Sequence, residues 1–154
     1  MSTTYDDDIN RLRIALGRIS RMIDRQVAGD GMTRTELSVL GTVARAKSLG
    51  MSEVADVEGL NPTMLSRIVG KLETRGLVRR AQGEDDRRAV VVEVTAEGAR
   101  LHTRLRKQRT KLLGERLEGL PRDQFRALLA AVPALETLAE AMKPVERERV
   151  GAAR

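Results

Sequence analysis

One face of the segment 62–75 carries side chains that can hydrogen-bond nucleic acid. Apolar residues recur there at three- and four-residue spacing and predict a helix with one buried stripe: Leu65, Ile68, Val69 and Leu72. The opposite face is small, polar and basic: Thr63, Ser66, Arg67, Gly70, Lys71 and Thr74. Such residues let a helix lie close to a groove floor, and the two cations can reach guanine edges or phosphates. The alternative is an ordinary solvated face.

A second helix and a tight turn precede this segment and would position it. Ser52 is expected to cap a helix running to Glu58, and Gly59 supplies the left-handed residue on which helices often end. Asn61 is expected to cap the next helix, with Pro62 at its first position, where a missing N–H costs nothing. The short turn between the two helices is typical of a helix-turn-helix.

Two β-branched segments follow, Leu77 to Gln82 and Ala89 to Val94, and they predict a hairpin with a charged loop. A hairpin directly after such a helix is typical of a wing, whose tip arginines could enter a minor groove, with Asp86 supporting them. The alternative is a charged turn whose local ion pairs are worth little. The complete set of predicted DNA contacts is Ser52, Asn61, Thr63, Ser66, Arg67, Lys71, Arg75, Arg87 and Arg88.

Three sequence motifs in residues 51–98 resemble those of the MarR family of bacterial transcription regulators. They are LETRGLVRR at residues 72–80, DRR at residues 86–88 and VEVTAEG at residues 92–98, where Val94 replaces the usual leucine. The resemblance implies a dimer that binds a near-palindromic operator and is released by a small lipophilic or phenolic effector. In the family this molecule enters a cleft between the dimer helices and the winged domain. The candidate lining residues are Met22, Leu40 and His102.

Composition narrows the range of partners. The chain has 154 residues, the size of one domain, and a net charge of +6, which favours a polyanion. Tyr5 and Phe125 are its only aromatic residues, so the stacking platforms of single-stranded nucleic-acid binders are lacking and double-stranded DNA is favoured. The acidic N-terminus is unlike a signal peptide and no apolar run reaches spanning length, so we expect a cytoplasmic protein without a membrane partner.

The residue types needed for catalysis are sparse. His102 is the only histidine and there is no cysteine, which excludes disulfides, thiol sensors and the usual zinc sites within one chain. Asp85 and Asp86 are adjacent in a loop expected to be exposed, where no burial would shift a pKa. We therefore predict neither an enzyme nor a cofactor. Six methionines remain oxidisable, and Met22 and Met64 are expected to be buried.

Two terminal helices carry continuous apolar seams that need a partner surface. The first seam contains Ile9, Leu12, Leu16, Ile19 and Ile23. The second contains Phe125, Leu128, Val132, Leu135, Ala139 and Met142. We predict that both form a homodimer interface, and packing against the body of the same chain is the alternative. Pro133 should interrupt the second helix.

Between these ends, Thr33 and Glu36 have the spacing of a capping box, and Thr95 is expected to cap a long helix. The predicted fold is mainly α with a small β-hairpin wing. Its parts are an N-terminal dimerisation helix (1–30), a winged helix-turn-helix (31–98), a long helix with a C-terminal dimerisation helix (99–143) and a flexible tail (144–154).

The predicted function is a sequence-specific, double-stranded DNA-binding transcription regulator, a repressor released by a ligand. Two alternatives remain open at this point. One is a winged-helix architectural protein that needs no ligand. The other is a helical scaffold that binds proteins through its terminal seams and has no salt-dependent affinity for DNA.

Overall fold

The computed structural model describes residues 3–27, 31–83 and 89–142. Its elements, in chain order, are α1 (Thr3–Val27), α2 (Arg34–Ala46), β1 (Ser48–Gly50), α3 (Met51–Glu58), α4 (Pro62–Thr74), β2 (Val78–Gln82), β3 (Val90–Val94), α5 (Ala96–Glu118), α6 (Arg122–Ala130) and α7 (Val132–Ala141). The predicted mainly helical fold with a small β wing is confirmed. The predicted wing tip, with Asp86, Arg87 and Arg88, and the predicted tail lie outside the described residues.

The core surrounds α2, which contacts α3, α4, α5, β1 and β3. Its first turn is closed by the predicted capping box: the Thr33 hydroxyl accepts from the Glu36 N–H at 3.2 Å, and the Glu36 carboxylate accepts from the Thr33 N–H at 2.8 Å. The largest fully buried side chains are Leu40, Leu65, Leu72, Val39, Val43, Val54, Val69 and Val92. Each contributes about 1.5–3 kcal/mol by leaving water, which fixes α4 against α2.

The sheet has three antiparallel strands in the order β1-β3-β2. The hairpin β2–β3 is the predicted one within a residue at each end, and Val92 is fully buried at its centre. The third strand was not predicted. It pairs Leu49 with Val92, and three residues are too few to show strand periodicity in a sequence.

The strand β1 also changes where α3 begins. Gly50 still pairs with Val91 in the sheet, so the backbone stays extended there and the helix starts at Met51 with Gly50 as its N-cap. The Glu53 carboxylate accepts from the Gly50 N–H at 2.7 Å. The expectation that Ser52 caps this helix is therefore wrong, and Ser52 is an exposed residue of its first turn.

A tight junction joins the wing to α5. The Thr95 hydroxyl accepts from the Gly98 N–H at 3.0 Å, which confirms Thr95 as the cap, and it donates to the Gly76 carbonyl at 2.6 Å. The helix that follows has 23 residues and is about 35 Å long. It leads from the wing to the region where α1 packs against it.

The predicted interruption at Pro133 is confirmed, since α6 ends at Ala130 and α7 begins at Val132. Pro133 occupies an early position of α7, where its missing N–H leaves no hydrogen bond unmade. Ala131 joins the two helices: its N–H donates to the Ala127 carbonyl of α6 at 3.0 Å, and its carbonyl accepts from the Leu135 N–H of α7 at 3.0 Å.

Much of the apolar seam surface is open to solvent in the single chain. On α1, the residues Ile9, Leu12, Leu16 and Ile19 are 41–48% exposed. On α6 and α7, Leu128 and Met142 are exposed, while Phe125 and Leu135 are half-buried. The exposed residues of both seams are not covered by the described body of the same chain, which disfavours intramolecular packing at those positions.

Two further expectations concern methionine and membranes. Met22 and Met64 are exposed, so the expectation that they are buried is wrong: each lies on the outward side of its helix. None of the helices in residues 3–27, 31–83 and 89–142 is long and apolar enough to cross a bilayer.

Candidate nucleic-acid interface

Hydrogen bonds at the end of α3 and at the start of α4 fix the turn between these two helices. Gly59 adopts a left-handed conformation with φ of 62°, and the Leu60 N–H donates back to the Ala55 carbonyl at 3.0 Å. Asn61 then caps α4, because its side-chain oxygen accepts from the Met64 N–H at 2.8 Å. The predicted helix-turn-helix is confirmed. The side-chain oxygen of Asn61 is occupied by this capping hydrogen bond.

The outward face of α4 is open at its N-terminal half. Leu65, Ile68, Val69 and Leu72 are buried, as predicted. On the opposite side, an open depression of about 500 Å³ is lined by Pro62, Thr63, Ser66 and Arg67. Among the described residues, Arg67 has no hydrogen-bond or ion-pair partner within the chain, so its guanidinium is available to an external acceptor.

Farther along the same face, the space beside Gly70 is empty of described atoms. A β-carbon built there would meet none of the described atoms within 4 Å. Gly70 lies inside a helix, so it needs no unusual backbone angle, and glycine in a helix costs about 1 kcal/mol relative to alanine. No contact within the described chain explains the missing side chain.

One flank of α4 is tied to the wing. The Arg80 guanidinium donates to the Ser66 carbonyl at 3.0 Å and forms an ion pair with Glu73. The Arg80 N–H also donates to the Glu73 carboxylate at 2.8 Å. These contacts hold β2 against α4, so wing and helix are one unit.

The other flank of α4 is tied to α2. The Lys71 ammonium lies 3.1 Å from the Glu36 carboxylate, whose side chain is 5% exposed, whereas that of Lys71 is 65% exposed. The hydrogen bond from the Thr33 N–H lowers the pKa of Glu36 below its ordinary value; burial opposes this, and Lys71 and Arg75 add to the lowering. Glu36 is therefore a buried carboxylate that stays ionised.

Two other arginines near the outward face of α4 also have partners within the chain. The Arg75 guanidinium donates to the Gly31 carbonyl at 2.9 Å, which ties the end of α4 to the turn before α2. Arg79 pairs with Glu93, its cross-strand neighbour, at 2.6 Å.

Glu36, Glu73, Arg79 and Arg80 were absent from the set of residues predicted to form this site. Glu73 and Arg80 lie in the LETRGLVRR motif, seven residues apart, and that motif was the available signal. The sequence carries no such signal for Glu36, because the capping box already accounts for a glutamate three residues after Thr33.

The three effector candidates lie in different surroundings. Met22 is exposed on α1, and Leu40 is 1% exposed inside the core. His102 on α5 is half-buried beside Gly41, and its pKa is lowered first by burial and then by Arg45, Arg106 and Arg109. Three arginines thus act on His102, of which Arg109 also lies 3.6 Å from Asp24, and Leu40 is out of reach of solvent.

Asp24 joins α1 to two neighbouring helices. It lies 2.8 Å from Arg34 and 3.6 Å from Arg109, whose Nε is buried without a partner among the described atoms. Within the described ranges, no cluster of three histidine, cysteine, aspartate or glutamate residues is suited to a metal ion.

Comparisons with known proteins agree with this geometry. Residues 32–90 match the MarR family. The HTH-type transcriptional regulator Mb0904 of Mycobacterium bovis is 30% identical over 129 residues, which cover 84% of this chain and 90% of the relative.

Solved structures show the same fold. A putative transcriptional regulator from Pseudomonas aeruginosa superposes with a TM-score of 0.76 at 28% identity, covering 90% of this chain and 99% of that chain. Streptococcus pneumoniae FabT, solved in complex with DNA, superposes with a TM-score of 0.70 at 16% identity over 90% of this chain and 99% of its own. The chain belongs to the MarR family of transcriptional regulators, as shown by the family match, by the 30% identity to a relative over 90% of that relative's length, and by the helix-turn-helix with its wing.

Proposed function

We propose that this MarR-family regulator is a homodimeric repressor that binds a near-palindromic operator and leaves it when a small lipophilic or phenolic effector binds. The observation that carries the proposal is the α4 surface. Arg80 on one side and Glu36 on the other hold α4 in place. Thr63 and Arg67 line an open depression and are accessible to an external partner. A rigid helix whose Arg67 guanidinium has no partner among the described residues is suited to reading base edges in a major groove.

Each predicted contact has a proposed role. Arg67 would donate to a guanine edge, with the hydroxyls of Thr63 and Ser66 beside it. Ser52 and Asn61 lie at helix N-termini, where hydroxyl and N–H groups suit phosphate oxygens. Lys71 and Arg75 already have partners within the protein, Glu36 and the Gly31 carbonyl, so we assign neither of them to base reading. Arg87 and Arg88, supported by Asp86, would enter the minor groove; they lie outside the described residues.

The exposed seams support the dimer. A single winged helix has a small footprint, whereas a two-fold dimer places two recognition helices about 34 Å apart, in successive major grooves. Burial of the exposed apolar residues on α1, α6 and α7 would supply the association energy. The proposed interface contains Ile9, Leu12, Leu16, Ile19, Phe125, Leu128, Leu135 and Met142. A regulator that binds the chromosome would work in the cytoplasm.

The surroundings of His102 favour an acidic effector. Arg45, Arg106 and Arg109 lower the pKa of His102, so a carboxylate or phenolate there would meet a field of cations. Met22 could supply apolar contact, and Leu40 would take part only if α2 moves, since it is buried. Release requires that the effector bind the DNA-incompetent arrangement more tightly, by a few kcal/mol.

Binding titrations of fragments selected from the source genome test the proposal. The dimer should bind one fragment at least about a thousandfold more tightly than random DNA, with affinity falling steeply as salt rises. An architectural protein would bind both DNAs equally, and a helical interaction scaffold would bind neither. Either result would contradict the proposed function.

A further inference from the structure

Glu36 is a buried carboxylate at the edge of the proposed DNA surface. One carboxylate oxygen accepts from the Thr33 N–H at 2.8 Å, and the other lies 3.1 Å from the Lys71 ammonium. A buried charge is strongly disfavoured without such partners. Glu36 thus holds a cation that projects from α4, the helix that would enter the groove.

The position of Lys71 along α4 limits what it could contact. It is the tenth residue of the helix, about 14 Å beyond the first, whereas base contacts come from the N-terminal residues of a recognition helix. Its side chain is 65% exposed, so its ammonium is within reach of a phosphate. Lys71 is therefore suited to sequence-independent attraction and poorly placed to read bases.

We propose that Glu36 limits the sequence-independent affinity of the protein for DNA: by holding Lys71, it withdraws one cation from phosphate binding. Arg67, which has no partner among the described residues, is left to read bases. Sequence-independent affinity arises from cations that displace counterions from phosphates. A withdrawn cation weakens binding to random DNA and to operator alike, because a phosphate contact carries no sequence information. This inference rests on the proposed DNA-binding function and adds a residue to it.

Glu36 also closes the capping box of α2, and one substitution separates the two roles. In Glu36→Gln, the side-chain oxygen can still accept from the Thr33 N–H, while the charge that holds Lys71 is gone. Thermal unfolding of this variant reports on the cap. DNA titrations report on Lys71.

The experiment measures affinity for operator and for random DNA between 50 and 200 mM salt. Glu36→Gln should tighten binding to random DNA and to operator by a similar factor. Between 50 and 200 mM salt, the affinity of the variant for each DNA should fall about 3.5-fold further than that of wild type, the value for one more phosphate contact. In a Lys71→Met background, Glu36→Gln should lose this effect. Glu118→Gln is the matched control, because Glu118 is exposed at the last residue of α5, away from α3 and α4, and its removal changes only the long-range field.

Three results would overturn the inference. Glu36→Gln could weaken both DNAs, which would mean that Glu36 aims Lys71 at a phosphate. It could match Glu118→Gln, or act equally with and without Lys71, and then only net charge would matter. If wild-type protein fails to distinguish operator from random DNA, the proposed function falls instead, and the salt dependence on random DNA still tests the Glu36–Lys71 coupling.

A second measurement needs no variant of Glu36. In the wild-type protein, the NMR chemical shift of the Lys71 ε-methylene group, which is bonded to the ammonium, should not change when operator is added, because the ion pair with Glu36 persists. A large shift on binding would mean that Lys71 leaves Glu36 for the DNA, contrary to the proposal. Lys71→Met identifies the signal.

Discussion

The α-carbon of Gly98 lies against the carbonyl group of Leu77, so closely that a β-carbon on residue 98 would overlap the carbonyl oxygen. The same oxygen accepts from the Thr95 N–H at 3.1 Å, which holds the start of α5 against the wing. Backbone cannot yield as a flexible side chain can. Gly98→Ala should therefore lower the free energy of unfolding by about 3 kcal/mol, measured by chemical denaturation. A variant as stable as wild type would mean that this junction is loose in solution.

Gly70 should show the opposite effect on stability. Gly70→Ala should raise the free energy of unfolding by about 0.5–1 kcal/mol, because its β-carbon meets none of the described atoms and alanine favours a helix. If the helix lies close to the groove floor, the same methyl group should weaken operator binding. Gly114→Ala on α5, where the space is also open, is the control and should stabilise without affecting DNA. Unchanged operator affinity in Gly70→Ala would place this face away from DNA.

Arg67 should carry sequence preference. Arg67→Ala should weaken operator binding by about 1–3 kcal/mol and relax the preference at one base-pair position. Fluorescence anisotropy on operators with single base-pair changes measures both effects. An equal loss on operator and random DNA would assign Arg67 to a phosphate.

The exposed α1 seam should hold the dimer together. Leu16→Asp would place an unpaired charge in an apolar interface, so the variant should sediment as a monomer at micromolar concentration and bind operator weakly. Asn10→Asp adds the same charge at an exposed position of α1 outside the seam and should remain a dimer. A wild-type monomer at this concentration would refute the interface.

His102 should make stability depend on pH. Its pKa is lowered in the folded chain, first by burial and then by the nearby arginines, so the unfolded chain takes up this proton at higher pH. The free energy of unfolding should therefore fall as pH drops below about 6.5. His102→Gln should remove this component, as denaturation at several pH values would show. Stability that rises on acidification through this range in the wild type but not in the variant would contradict the assignment.

The same histidine should report an acidic effector. An anion bound among Arg45, Arg106 and Arg109 would offset their charge and raise the pKa of His102. The chain has one histidine, so its imidazole signal in NMR needs no further assignment. A pKa unchanged by an effector that releases DNA would place the effector elsewhere.

Local signals in the sequence predicted the parts of the fold that local interactions fix. The capping box of Thr33 and Glu36, the Asn61 cap and the interruption near Pro133 each depend on residues a few positions apart, and all three are confirmed. The apolar stripe of α4 was equally visible, because helical periodicity is a property of one segment.

Tertiary structure decided the features whose partners are distant in sequence. The strand β1 exists only because Leu49 meets Val92, and that pairing moved the start of α3 ahead of Ser52. Likewise, Glu36 meets Lys71 across two helices, and Arg75 meets Gly31 44 residues away. Periodicity tells which face of a helix is polar. It does not tell which polar groups will pair, since that depends on how separate helices pack. In this fold, the packing of α2 against α4 pairs Lys71 with Glu36 and leaves Arg67 without a partner among the described residues.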